Sequence, residues 1–385
     1  MIFDTPFESY KLERIPKNQK NNLQAWDAAD ELLLHHIFEN NLDNLSTNDL
    51  NTISISQTPI LVINDSFGAL SLALHQFEVH NWTDSYISHL AAQDNLKLNH
   101  LKKDIKCIPS TEKLEDTYKI VLIKIPKTLA LLEEQLCHVK LHITNDTIII
   151  ASAMSKHIHT STLKLFEKII GTTSTSRATK KARLIFSENN QQQSHQSPYP
   201  KVITDQSLKL ELINHANVFS KDHLDIGSRF FIEQFNKCPS ANNIIDLGCG
   251  NGTLGIMMQR YQPEAHIHFI DESYMAVTSA KESYQKTNSI LNANFYTSNC
   301  LDQYTGERPD LIVCNPPFHQ AHIIGDQIAW QMFKQSYDKL KKGGELWIVG
   351  NRHLGYHIKL KRLFGSIRTI ASNKKFVILA ARKAR

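Results

Sequence analysis

No apolar run in this 385-residue chain approaches the roughly 20 residues a membrane span requires. The opening stretch, MIFDTPFESYKLERIPK, lacks the basic-then-apolar pattern of a secretory signal. A cytoplasmic protein is expected. Cysteine is sparse: Cys107, Cys137, Cys238, Cys249, Cys300 and Cys314 are six in all, and no two have C-x-x-C spacing. Several sit in apolar or glycine-rich runs, so neither a metal site nor a disulfide framework is expected. Acidic residues stop at Glu345, and beyond it come Arg352, Lys359, Lys361, Arg362, Arg368, Lys374, Lys375, Arg382, Lys383 and Arg385. A one-signed tail of this kind suits a polyanion such as RNA.

What is present is globular: 41% hydrophobic and 21% charged residues. The length exceeds one ordinary core, so two domains are expected. Composition breaks at SENNQQQSHQSPYP (187–200), which reads as a linker or long exposed loop. NNLDNLSTNDLNTISISQT (40–58) reads as a loop inside the first half.

The halves on either side of the break rhyme. ILVINDSFGALSLAL (60–74) parallels IIDLGCGNGTLGIMM (244–258), with Gly68 opposite Gly252 and Leu70 opposite Leu254. TDSYISHLAAQDNLKLN (83–99) parallels DESYMAVTSAKESYQKT (271–287), and IVLIKIPKT (120–128) parallels LIVCNPPFH (311–319). EKIIGTTSTSRATKKARLIF (167–186) parallels KRLFGSIRTIASNKKFVILA (361–380), Lys-Lys pair against Lys-Lys pair. Four matches in one order imply a duplicated domain. Strand and helix alternate in each copy, which argues an α/β fold with a mostly parallel sheet. GGELWIVGNR and NKKFVILAAR, flanking the helix-like HIKLKRLFG, predict an antiparallel C-terminal edge pair.

DLGCGNG (246–252) lies between the strand NII and the helix-like TLGIMMQRY. Gly248, Gly250 and Gly252 let the backbone turn sharply and approach a ligand, at the end of a helix whose free N–H groups point the same way. IHFID (267–271) ends in Asp271, an acid placed to accept from both hydroxyls of a ribose. Dinucleotide enzymes share that much. The spacing here is G-x-G-x-G, and Asp246 opens the loop. A carboxylate there suits a cationic ligand such as S-adenosylmethionine better than a pyrophosphate. In SNCLD (298–302), Asn299 is a candidate for the adenine edge or a turn residue.

In CNPPFHQ (314–320) two prolines stop a strand and stiffen what flanks them. DLGCGNG, then IDES, then NPPF resembles class I methyltransferases that act on exocyclic or amide nitrogen. The resemblance implies that the Asn315 oxygen and the Pro316 carbonyl each accept one N–H, so that the nitrogen pyramidalises toward the methyl donor. Phe318 stacks on the flat substrate. The first half has lost these parts. It carries N-D-S-F-G for G-C-G-N-G, and Lys124 where Asn315 stands. Lysine has no acceptor, so the first half is expected to be non-catalytic and retained for RNA recognition. Lys124, Lys127, Lys180 and Lys181 are its candidate phosphate contacts, with Lys374 and Lys375 in the second half.

The whole architecture is similar to bacterial ribosomal RNA guanine-N2 methyltransferases with a degenerate catalytic copy in front, and more to the large-subunit type than the small-subunit type. LQAWDAADELLL (23–34), LIKIPKTLALLEEQL (122–136) and HANVFSKDHLDIGSRFFI (215–232) carry it beyond the shared motifs. The resemblance implies tandem class I (Rossmann-like) methyltransferase domains: residues 1–186 degenerate, 187–201 linker, 202–385 catalytic. It implies S-adenosylmethionine as cofactor and protein-free 23S rRNA as partner, for a monomer. Phe219 and Asp225 then stand over the methionine end of the cofactor, though Asp225 also suits a helix cap. The alternatives are a 16S rRNA guanine, a glutamine amide on a translation protein, or a non-enzymatic RNA-binding assembly factor.

Overall fold

Runs of Ile, Leu and Val long enough for one strand, most of them followed by a helical segment, recur through both halves and set the architecture. The computed structural model describes residues 1–16, 23–40, 58–192, 195–218, 224–287, 292–317 and 323–384. It divides into two compact units, Met1–Tyr199 and Pro200–Arg385.

Unit 1 comprises β1 (Ile2–Asp4), β2 (Ser9–Lys11), α1 (Ala28–Glu39), β3 (Ile60–Ile63), α2 (Ala69–Ala73), β4 (Val79–Thr83), α3 (Tyr86–Leu98), β5 (Lys106–Pro109), β6 (Tyr118–Lys124), α4 (Leu129–Lys140), β7 (Ile143–Met154), α5 (Thr160–Ile169), β8 (Thr173–Thr175) and β9 (Ala182–Ser187). Unit 2 comprises β10 (Lys201–Asp205), β11 (Leu210–Asn214), α6 (Ile226–Ile232), β12 (Asn243–Leu247), α7 (Thr253–Tyr261), β13 (His266–Asp271), α8 (Tyr274–Thr287), β14 (Ala293–Thr297), β15 (Leu311–Cys314), α9 (Ile323–Lys339), β16 (Glu345–Asn351), α10 (Tyr356–Phe364), β17 (Ser366–Ser372) and β18 (Phe376–Arg382).

Each unit holds a seven-stranded sheet of one topology, β5-β4-β3-β6-β7-β9-β8 and β14-β13-β12-β15-β16-β18-β17. The central strands are buried along their whole length, ILVI in β3 and LIVC in β15. That is the mark of a parallel sheet covered on both faces. Two apolar clusters per unit supply those covers, one on each side of the sheet. Fully buried Leu, Ile and Phe side chains in such clusters are worth roughly 1.5–3 kcal/mol each.

Strand order reverses between β3 and β6, and between β12 and β15. In open α/β sheets the crevice at that switch, outside the carboxyl ends of the strands, is where ligands bind. The register is parallel, with Ile63 opposite Ile123 and Leu247 opposite Cys314. The residues that follow, Asn64 with Lys124 and Gly248 with Asn315, therefore emerge side by side.

The C-terminal edge is antiparallel as expected, β16 pairing with β18, and SIRTIAS adds a further strand, β17, on the outer side of β18. Its pattern of exposed and half-exposed residues, none buried, belongs to a hairpin edge. The described residues of 188–199 form neither helix nor strand and are tied to unit 1. Lys140 donates to the Asn189 side chain and to the Gln191 carbonyl at 2.6 Å, and Ser197 bonds Glu134, so they cluster with unit 1. The reading of 40–58 as a loop falls almost wholly outside the described residues.

Candidate active site

Gly248, Gly250 and Gly252 all take the left-handed conformation, at φ +74°, +55° and +84°. At Gly252 the reason is close packing as well, since a Cβ would lie 3.1 Å from the Ala280 Cα. At Gly250 a Cβ would meet nothing within 4 Å, so the backbone there borders open space. The loop is stapled to the end of β13. Gly248 and Cys249 N–H donate to the Ile270 carbonyl, and Gly250 N–H donates to Asp271 Oδ2 at 2.9 Å. The other Asp271 oxygen accepts from Ser273 N–H at 3.1 Å.

Asp246 lies in β12 and is fully buried. Its Oδ2 accepts from the Gly255 N–H of α7 at 2.7 Å, while Oδ1 is buried with no partner among the described residues. Burial pushes its carboxyl up to about 8 despite the Gly255 bond, and nearby Asp271 adds to the rise. A cation against Oδ1 would supply both the missing partner and the charge that ionises the group.

Asn315 follows β15 directly. Its Nδ2 donates to Ser228 Oγ at 2.9 Å and to Asp225 Oδ2 at 3.1 Å. Its Oδ1 is buried and has no partner among the described residues. Such an acceptor costs about 1–3 kcal/mol unless a ligand supplies a donor. Pro316 is buried behind it. The loop, the open space at Gly250 and two partnerless oxygens fit a small cationic cofactor beside a nitrogen donor. The thiols at the site do not fit nucleophilic work: burial drives Cys249 and Cys314 well above the ordinary thiol range. Among the described residues no group of three or more His, Cys, Asp or Glu could hold a metal, and no helix is long and apolar enough to cross a membrane.

Other sequence candidates land differently. Asp225 caps α6, accepting from Ser228 N–H at 2.8 Å as well as from Asn315. Its Oδ2 is thus engaged with both the helix start and the Asn315 amide. Asn299 is used at both ends inside the protein, donating to Asp302 Oδ2 at 2.9 Å and accepting from Gln331 at 3.1 Å. These bonds hold the 298–302 turn and leave one N–H and one lone pair of the amide for another contact. Phe219 and Phe318 lie outside the described residues. Ser228, Gly227 and Gly255 were missed, although the D-x-G-S spacing of 225–228 is a readable helix-start signal.

Unit 1 answers each part with its own side chain. Gly68 repeats Gly252, at φ +83° with a Cβ position 2.9 Å from the Ala92 Cα. Asn64, at φ +62°, stands where Gly248 does. Its amide donates to the Lys124 carbonyl and exchanges two bonds of 2.9 and 2.7 Å with buried Gln135, closing the crevice between β3 and β6. Asp65, from the loop, takes over the bond to α2, accepting from Ser71 N–H at 2.8 Å. Lys124 Nζ is 2.9 Å from Asp27 Oδ1 and 2.7 Å from Asp30 Oδ1, and is only 15% exposed. It is an internal ion pair, which corrects its reading as a phosphate contact. The two most specific segments of the first half, LQAWDAADE and KIPK, meet in this pair.

Lys127, Lys181, Lys374 and Lys375 are exposed. Lys180 is exposed too, but pairs with Glu31 at 2.9 Å. The Lys-Lys pairs occupy equivalent hairpin turns: the Lys181 carbonyl accepts from Ser155 N–H, and the Lys375 carbonyl from Arg352 N–H. Both turns stand at the carboxyl end of their sheet.

Comparison with known proteins matches residues 1–191 to the RLMG N-terminal domain and residues 209–380 to the methyltransferase small domain. The ribosomal RNA large subunit methyltransferase G of Colwellia psychrerythraea is 45% identical over 389 residues, covering 97% of this chain and 96% of that protein. Its counterpart from Stutzerimonas stutzeri is 44% identical over 385 residues, covering 100% of both. The solved structure of the T. thermophilus 16S rRNA N2 methyltransferase RsmC, with AdoMet and guanosine, matches at a TM-score of 0.77 and 17% identity, over 100% of this chain and 97% of that one. At that identity the likeness speaks for the fold, a tandem Rossmann-like methyltransferase. By its full-length relatives, this chain belongs to the ribosomal RNA large subunit methyltransferase G family.

Proposed function

We propose that this protein transfers a methyl group from S-adenosylmethionine to the exocyclic N2 amine of one guanine in 23S rRNA, acting as a monomer on protein-free RNA. The observation that carries the reading is the pair of buried, partnerless oxygens, Asp246 Oδ1 and Asn315 Oδ1, on adjacent strands at the switch point. One suits a cationic amino group and the other an amine N–H. The names of the full-length relatives support the choice of large-subunit rRNA.

Asp246, the Gly248–Gly252 loop and Asp271 would hold the cofactor, which when bound supplies an electrophilic methyl on a sulfonium. Asn315 Oδ1 accepts one amine hydrogen, and the Pro316 carbonyl accepts the other. With both hydrogens drawn to one side, the nitrogen lone pair turns away from the ring, toward the methyl. No strong base is required, because the proton becomes acidic once the nitrogen carries the new carbon. Orientation supplies much of the acceleration. Phe318 stacks on the base. Unit 1, with its crevice closed by Asn64 and Gln135, contributes RNA contacts and no second reaction centre. Lys127, Lys181, Lys374 and Lys375 are the phosphate contacts of this reading.

Methyl transfer from labelled cofactor to protein-free 23S rRNA, 16S rRNA and ribosomal proteins tests it. Label in 23S rRNA that digests to N2-methylguanosine is expected. Label confined to 16S rRNA or to protein overturns it.

A further inference from the structure

The segment Asp225–Ile226–Gly227–Ser228 opens α6, and its two polar members, Asp225 and Ser228, both bond Asn315. We propose that Asp225 and Ser228 are positioning residues that lock the Asn315 amide with its oxygen presented to the substrate amine, and that Gly227 gives the Asp225 carboxylate its room. This rests on the reading that Asn315 Oδ1 accepts from that amine.

An asparagine amide has two ends of nearly equal shape and opposite polarity. The torsion that exchanges them is broad and two-fold. With the ends exchanged, an NH2 would face the substrate N–H and repel it. The two neighbours prevent the exchange. An ionised carboxylate only accepts hydrogen bonds, so Asp225 Oδ2, 3.1 Å away, demands Nδ2. Ser228 Oγ, at 2.9 Å, takes the second hydrogen. Both donors of the amide are thereby spent, and Oδ1 remains as the unpartnered end. Gly227 is needed for space: a Cβ there would lie 2.9 Å from Asp225 Oδ2 and 3.2 Å from Phe376 Cε1, so the carboxylate would have to shift.

Unit 1 carries an independent copy of the device. Asp27 caps α1 as Asp225 caps α6, accepting from Ala29 N–H at 2.8 Å. It too faces the residue that ends the switch-point strand, and the third residue after it, Asp30, joins in. There the strand-end group is an ammonium and the third member is an acid. In unit 2 the strand-end group is a neutral amide and the third member is a hydroxyl. The capping acid is the constant part, and its partner changes with the charge of what it holds.

The test is single-turnover methyl transfer by the full chain, enzyme in excess, with labelled S-adenosylmethionine and protein-free 23S rRNA. Asp225→Ala is expected to slow transfer about 10- to 100-fold, as a misplaced reacting group does. Asp225→Asn, which keeps an accepting oxygen for both the helix cap and Asn315, is expected to restore most of that rate. Ser228→Ala leaves the helix cap in place and removes one acceptor. It is expected to lose roughly tenfold in rate, with cofactor affinity and melting temperature unmoved. Because Asp225 acts through Asn315, the double variant Asp225→Ala/Asn315→Ala is expected to be no slower than Asn315→Ala. A double variant slowed by the full product of the single effects, or Ser228→Ala and Asp225→Ala at the parent rate while Asn315→Ala is slow, overturns this inference alone. An Asn315→Ala variant at the parent rate overturns the underlying reading as well.

Discussion

The two units share a sheet order, a left-handed glycine at the same turn and a capping acid at the same strand end, yet among the described residues the strand carboxylate and the strand-end amide of unit 2 each keep a buried oxygen without a partner, while the side chains that stand in for them in unit 1, Asp65 and Lys124, are bonded within the unit. Asn64 and Gln135 bridge the crevice, Asp65 replaces the strand carboxylate at the helix, and Lys124 is neutralised by Asp27 and Asp30. The difference teaches how a binding fold becomes a structural one. The scaffold survives, and its costly unsatisfied polar groups find internal partners. In unit 2 the two unpartnered oxygens at the switch point, Asp246 Oδ1 and Asn315 Oδ1, are the ones the proposed function uses.

The largest effect that would sharpen this contrast is at the strand-end pair. Asn315→Ala is expected to cut methyl transfer about 10²–10³-fold, the usual cost of one oriented group, with cofactor binding intact by calorimetry. Lys124→Ala, the matching change in unit 1, is expected to leave cofactor affinity unmoved. It should destabilise the fold by about 1–3 kcal/mol, because it leaves the buried Asp30 carboxylate without its cation, and thermal melting reads that.

Asp246→Asn comes next. Cofactor affinity is expected to fall at least about tenfold, the cost of losing one charge-assisted contact. Stability should move the other way with pH. The folded carboxyl sits at about 8, above its ordinary value near 4. Wild-type stability from this group is therefore full below about 4 and is lost as pH rises toward 8. The melting temperature of the variant relative to wild type is expected to climb between pH 5 and pH 8. A difference that is flat with pH would show that Asp246 is already ionised.

The glycines separate packing from binding. Gly68→Ala and Gly252→Ala are both expected to destabilise by about 1–3 kcal/mol, since each adds left-handed strain to a crowded site. Gly250→Ala meets no neighbour. It should cost about 1–2 kcal/mol of backbone strain, and more conspicuously weaken cofactor binding. The smallest effects belong to the lysine turns. Lys374→Ala with Lys375→Ala is expected to flatten the salt dependence of RNA binding by up to about one unit of slope per lysine. Lys180→Ala should do less, its charge being already matched by Glu31.

Much of this was legible from residue types. The duplication, the sheet class, the glycine loop and the asparagine at the strand end follow from glycine spacing and from apolar runs of strand length. What escaped was whatever depends on a partner distant in sequence. Lys124 reads as a surface cation until Asp27 and Asp30 are brought to it across the fold. Asn299 reads as a free amide until Gln331 reaches it from α9. SIRTIAS is too polar to announce a strand, and only pairing with β18 makes it one. Asp225 was legible as a cap, but its second bond, to Asn315, is not a local property.

The central claim, that unit 2 alone keeps an open cofactor site, is tested most directly by calorimetric titration of the full chain with S-adenosylmethionine, alongside Asp246→Ala. One site per chain, lost in the variant, is the expected result. Two sites, or one that survives the loss of Asp246, would contradict it.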